Sequence, residues 1–202
     1  MAFTTDIAAR LTRDASSLPQ SGLEADRFRR FLDADLAAVH LFSRSARPRA
    51  TRLLAIAISK LGNGWIYLLL FPALFLGLGW RGWPVVLIAA ANAALLHVLY
   101  PIIKRRFLRK RPFHVDARLP SLLKTLDEHS FPSGHAMTLT GVLAPMVLAW
   151  PAMTVSAAVL VLSMAWSRIA TAHHYPSDVV AGIALGAAVS WPLSRYALTF
   201  FF

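Results

Sequence analysis

The chain has 202 residues, 56% of them hydrophobic, with a mean hydropathy of +0.53, which is too apolar for an ordinary soluble globule of this length. A formal net charge of +11 could suit nucleic acid, but the basic residues border apolar runs and no aromatic-basic interleaving marks a base-stacking surface, so nucleic acid is excluded as partner. There are no cysteines, which removes disulfides and thiolate metal sites.

Asp6, Arg10, Arg13, Asp14 and Glu24 leave no central apolar run in the first 30 residues, against a cleaved signal peptide. From 24 to 62, Phe28, Phe31, Leu32, Leu36, Val39 and Leu41 recur at helical spacing among Arg27, Arg29, Arg30, Asp33 and Asp35. That pattern predicts an amphipathic helix at the membrane surface, with a helix packed on a bundle as the alternative. Leu53, Leu54, Ile56 and Ile58 could be partly inserted, although the run 51–62 is short for a span.

Runs at about 64–80, 84–103, 134–150, 152–168 and 178–198 are long enough, or nearly so, to cross a hydrocarbon core of roughly 30 Å as helices. Gly79 to Pro84 and Trp150-Pro151 read as tight turns, making two antiparallel hairpins. The expected fold is all-α: a polytopic transmembrane helical bundle of five spans, possibly six, plus the N-terminal amphipathic helix. The division is an N-terminal interfacial region over 1–62 and a membrane bundle over 63–202.

With five spans, the N-terminus, the 104–133 connection and the 169–177 connection share one side of the bilayer. The two connections and the span ends beside them carry the chemistry. Lys104 and Arg111 are seven residues apart, so a continuous helix would show them on one face before Pro112 ends it. Arg105, Arg106, Arg109 and Lys110 read as interfacial snorkelling. In Pro132-Ser133-Gly134-His135, Ser133 is the expected N-cap of the third span, Gly134 lets an anion approach the backbone, and His135 falls in the first turn. Ser167-Arg168 closes the fourth span, and His174 stands four residues before Asp178, so a carboxylate can hold one imidazole nitrogen while the other faces a substrate. Asp178 could instead serve the helix start. His173 is out of register with Asp178 and is read as structural; His40, His97, His114 and His129 belong to no pattern.

Lys104-x6-Arg111-Pro112, Pro132-Ser133-Gly134-His135 and Ser167-Arg168-x5-His174-x3-Asp178 together resemble the complete three-part signature of the type 2 phosphatidic acid phosphatase family. Many membrane members have six spans where five are clear here. The resemblance implies a lipid phosphatase in which His174 attacks phosphorus to form a phosphohistidine and Asp178 orients it. His135 protonates the departing oxygen, and Lys104, Arg111 and Arg168, with Ser133 and the Gly134 N–H, hold the phosphoryl oxygens. It implies no cofactor and no metal, because three cations can do the electrostatic work. The partners are the bilayer and a membrane lipid carrying a terminal phosphate or diphosphate, of the phosphatidate, phosphatidylglycerophosphate or undecaprenyl diphosphate kinds; oligomeric state is left open. A lipid phosphotransferase is the nearest alternative, since the same intermediate can pass its phosphoryl group to another lipid. A vanadate haloperoxidase and a transporter are further rivals, the latter weakened because only Asn92 and His97 lie deep in a span.

The resemblance places the chain in a bacterial-type inner membrane. All Lys and Arg except Arg81 and Arg195 fall on the motif side, which favours a cytoplasmic site by the positive-inside rule; relatives facing the periplasm make that the alternative.

Overall fold

Helical periodicity and apolar length dominate what the computed structural model shows for residues 22–125 and 127–201; the first 21 residues, on which the signal-peptide reading mostly falls, lie outside the described residues. In chain order the elements are α1 (Gly22–Ser45), α2 (Arg49–Lys60), a π-helical turn (Leu61–Trp65), α3 (Ile66–Leu78), α4 (Trp83–Phe107), a short α5 (Pro112–Val115), α6 (Gly134–Ala149), α7 (Thr154–Ala170) and α8 (Pro176–Leu198). No strand occurs among the described residues, and one isolated bridge joins Lys110 to His129. The all-α expectation holds.

Contacts divide the chain between Ala37 and Ala38. In the first unit, α1 exposes Phe28, Phe31 and Leu32 among Arg27, Arg29 and Arg30. The remainder is the bundle. Among the described residues four stretches are long and apolar enough to cross a membrane: Arg49–Leu76, Trp83–Phe107, Pro151–Ala170 and Pro176–Leu198; Gly134–Ala149 is a shorter apolar helix. The first of these corrects the expected start near 64. Residues 51–62 are joined to the run that follows through the π-helical turn, where Asn63 and Gly64 leave helical geometry, Gly64 at φ 111°. Glycine tolerates that conformation, so Gly62-Asn63-Gly64 forms a kink between two helices that together make one apolar stretch. The expected domain boundary at 62 falls inside this turn.

α6 is the centre. It is buried nearly continuously from Ala136 to Met146, and α8, α4 and α7 pack around it. α8 approaches most closely because it presents glycines: a Cβ at Gly182 would lie 2.6 Å from the Ser133 carbonyl oxygen, and one at Gly186 would lie 2.3 Å from that of Met137. Asn92 of α4 links the three helices, donating to the Gly141 carbonyl at 3.0 Å and to Ser194 Oγ at 2.9 Å. Leu68, Leu69, Leu76, Leu87, Val155 and Val180 stay exposed, an apolar exterior suited to hydrocarbon. The ends of α4 and α7 and the starts of α6 and α8 are thereby fixed beside one another.

Candidate active site

Two left-handed residues turn helix ends into a site. α4 stops at Phe107 because Leu108 adopts φ 52°, and Arg111 follows in extended backbone, so Lys104 and Arg111 meet through a turn and not along one helix face as the spacing had suggested. α7 ends similarly. Ala172 has φ 57°, and the His173 and His174 N–H groups both return to the Arg168 carbonyl at 3.2 and 3.1 Å. That turn folds both histidines back over Arg168.

Lys104, Arg111, Gly134, His135, Arg168 and His174 line one cavity of about 240 Å³. Arg111 Nη1 lies 3.4 Å from His174 Nε2 and donates to the His173 carbonyl at 2.8 Å. Arg168 donates through Nη1 to Ser59 and through Nη2 to His173 Nδ1 at 3.1 Å, while its Nε has no partner. Because guanidinium only donates, Nδ1 of His173 accepts and its proton sits on Nε2. His173 therefore fixes two of the three cations, as its structural reading required. Burial first, then Arg168 and Arg111, push its pKa down to about 3. The same causes in the same order hold His174 well below the usual imidazole range, so its ring is neutral and a lone pair is free at neutral pH.

Ser133 and Asp178 do not line the cavity. Ser133 is at the N-cap of α6 as expected, but its side chain makes no capping bond; its backbone N–H donates to the Asp178 carbonyl at 3.0 Å and its fully buried Oγ is unpartnered. Asp178 lies behind His174, with Oδ2 3.7 Å from Nδ1, beyond hydrogen-bond range. It also serves the helix start: Oδ2 accepts from the Tyr175 N–H at 2.9 Å. The helix-start reading of this carboxylate is therefore met, while the imidazole it was expected to hold lies beside it with Nδ1 unpartnered.

Several site residues carry no sequence signal. Arg109, read as snorkelling, instead donates to Asp178 Oδ1 at 2.7 Å and to Ser177 Oγ at 2.6 Å, and stacks 3.8 Å over the Tyr175 ring. Asp178 is fully buried, so removing its cation leaves a charge in low dielectric. Arg109→Leu is expected to destabilise the protein by about 3 kcal/mol, read as a lowered unfolding midpoint in detergent, with Arg109→Lys restoring part of it. Asn63 Oδ1 bonds His135 Nε2 at 2.7 Å, and Gly62 permits the contact, since a Cβ there would lie 2.6 Å from the His135 ring. His40, which matched no pattern, is bonded to Asp116 at 2.9 Å; Arg118 first, then His40, holds that carboxyl well below the usual range. His97 and Tyr100 carry the cavity down α4 from Lys104 into the apolar zone.

Among the described residues no group of His, Cys, Asp or Glu could hold a metal ion. What converges is a buried trio of cations facing one neutral imidazole, with a second imidazole lining the same cavity: an arrangement suited to hold an anion.

The PAP2 superfamily profile matches residues 81–201. A decaprenylphosphoryl-5-phosphoribose phosphatase of Mycobacterium tuberculosis is 40% identical over 130 residues, 62% of this chain and 67% of that protein. A lipid A 1-phosphatase of Rhizobium etli is 27% identical over 162 residues, 70% and 69% of the two chains. In fold, the chain resembles the crystal structure of a transmembrane PAP2-type phosphatidylglycerolphosphate phosphatase from Bacillus subtilis, with TM-score 0.58 and 21% identity, covering all of this chain and 96% of that one. It also resembles Aquifex aeolicus LpxE, with TM-score 0.59 and 21% identity, covering 81% and 94%.

Proposed function

The chain belongs to the PAP2 superfamily, and from that premise we propose that it is an integral membrane lipid phosphatase that removes a terminal phosphate or diphosphate group through a phosphohistidine on His174. The carrying observation is the approach of Arg111 Nη1 to within 3.4 Å of His174 Nε2 inside the shared cavity, which puts the attacking nitrogen where a phosphoryl group held by cations would be. The His174 Nε2 lone pair forms the P–N bond while the P–O bond to the lipid breaks. The incoming phosphate favours the imidazolium form of His135, which gives its proton to the leaving oxygen and then takes one from the water that cleaves the P–N bond. Lys104, Arg111 and Arg168 carry the charge of the equatorial oxygens, with the Gly134 N–H beside them; Ser133 Oγ, buried and unpartnered outside the cavity lining, joins them only when its side chain rotates. Asp178, itself anchored by Arg109, stabilises the charged form of His174.

A lipid substrate is supported by the reach of the cavity along Tyr100 and His97 and by relatives named for a prenyl-linked phosphoribose and for lipid A. Phosphatidate, phosphatidylglycerophosphate and undecaprenyl diphosphate are the lipids to assay. The bias of Lys and Arg to the motif side supports a cytoplasmic site. The direct experiment follows phosphate release from these lipids by the purified protein and traps an acid-labile phosphoryl group on His174. Since fixed cations supply the electrostatics, turnover is expected to persist in EDTA; loss in chelator with recovery on adding magnesium would refute the metal-independent scheme.

A further inference from the structure

Asp127 belongs to none of the three motifs, yet its carboxylate occupies the cradle. Lys104 Nζ donates to Oδ1 at 3.0 Å and to Oδ2 at 2.9 Å, and Arg111 Nη2 donates to Oδ1 at 2.7 Å. The same loop takes further donors through its backbone: Lys104 Nζ reaches the His129 carbonyl at 3.1 Å and Arg111 Nε the Asp127 carbonyl at 3.1 Å. An ammonium has three N–H donors, and all three of Lys104 are engaged. A phosphoryl oxygen can therefore bond Lys104 only by replacing this loop. Burial alone would raise the Asp127 pKa, but Lys104 and Arg111 outweigh it and hold it below the usual carboxylate range, so the group is ionised at neutral pH. Its side chain is 38% exposed, so on release it can enter water.

We propose that Asp127 is a built-in competitor for the substrate's phosphate position and sets which lipids reach His174; this rests on the reading of Lys104, Arg111 and Arg168 as the phosphate cradle. Lys104 and Arg168 stand at the ends of apolar stretches long enough to span a bilayer, which puts the cradle of the proposed enzyme near the headgroups, where ordinary phospholipids present phosphodiesters of single negative charge in large excess over any substrate. A bare trio of cations would collect them. With the carboxylate in place, every anion binds with its intrinsic affinity multiplied by the fraction of time the cradle is free, so a cradle free about a tenth of the time binds all anions about tenfold more weakly. A monoanionic diester gains from Lys104 and Arg111 about what the carboxylate already gains, and it is kept out. A dianionic terminal monoester gains about twice the Coulomb attraction and still displaces the carboxylate. Asp127 thus sets an affinity threshold that a terminal phosphate passes and bulk phospholipid does not.

The test compares the full chain with Asp127→Asn and Asp127→Glu in mixed micelles, using short-chain phosphatidate as substrate, orthophosphate as product inhibitor and phosphatidylglycerol as the diester. Asp127→Asn is expected to lower both KM and the inhibition constant of orthophosphate about tenfold and to make phosphatidylglycerol inhibitory, whereas Asp127→Glu keeps a carboxylate and stays near the wild-type values. Raised or unchanged constants in Asp127→Asn overturn the proposal, as does lowered KM without inhibition by phosphatidylglycerol. Should Asp127→Asn fail to fold, the unaltered chain still decides: saturating orthophosphate is expected to speed tryptic cleavage after Lys124 by freeing the loop, and protection or no change counts against it. A wild-type protein that releases no phosphate from any lipid overturns the phosphatase reading instead, while the tryptic result continues to report on Asp127.

Discussion

His174→Ala is expected to lower kcat on the order of 10⁵-fold, the scale seen when a covalent nucleophile and the base machinery around it are lost together. The ring is 1% exposed among Arg111, Arg168 and Asp178, and His173, although it lines the same cavity, offers no lone pair in its place, since its Nδ1 accepts from Arg168 and its Nε2 carries the proton. Binding and chemistry separate here: the cations remain, so vanadate and orthophosphate should still stabilise the variant thermally while turnover and the trapped phosphoryl group vanish. The sign of the pH dependence follows from the same environment. With neutral imidazole as the proposed attacking form and its pKa depressed by burial and by Arg168 and Arg111, the acid limb of kcat/KM in the wild type is expected below the usual imidazole pKa. A limb at or above that value would mean that His174 is not the group titrating. A variant that keeps measurable lipid turnover with an intact fold would remove the histidine from its assigned role.

The second large effect is conditional on the substrate. His135→Ala is expected to slow hydrolysis of a lipid alkyl phosphate about 10³-fold, within the range for a positioned general acid, and to slow an aryl phosphate far less, because a phenolate leaves without a proton. Equal losses on the two substrates would assign His135 to binding. Asn63 sharpens the comparison: it holds Nε2 of His135 at 2.7 Å without lining up on any motif. Asn63→Ala should move kcat for the alkyl substrate in the same direction by a smaller factor and leave the aryl substrate nearly unchanged.

Much of the architecture could be read from periodicity and spacing, because apolar length reports spans and the three motifs stand at span ends. Convergence on one side then followed from counting crossings. What escaped the reading was tertiary or depended on a single backbone angle. Gly62-Asn63-Gly64 looks like a helix terminator, and only the close approach of His135 and Met164 to Gly62 shows why the chain kinks there and resumes as a helix. Lys104 and Arg111 suggested a shared helix face, which Leu108 at φ 52° prevents. Arg109 is locally indistinguishable from Arg105 and Arg106; its partner Asp178 lies 69 residues away. Asp127 likewise sits in a loop with no apolar rhythm, and its meaning comes from two cations reached across the turn.

The bent helix has a practical corollary for anyone dissecting this protein. Ser59, Gly62 and Asn63 form a wall of the reaction chamber, and Ser59 is hydrogen-bonded to Arg168, yet all three precede residue 81, where similarity to the superfamily profile begins. A fragment trimmed to the matched region would retain every signature side chain and still be missing a side of its own vessel. A fragment that keeps this wall has to start upstream of residue 81, at the helix that opens at Arg49.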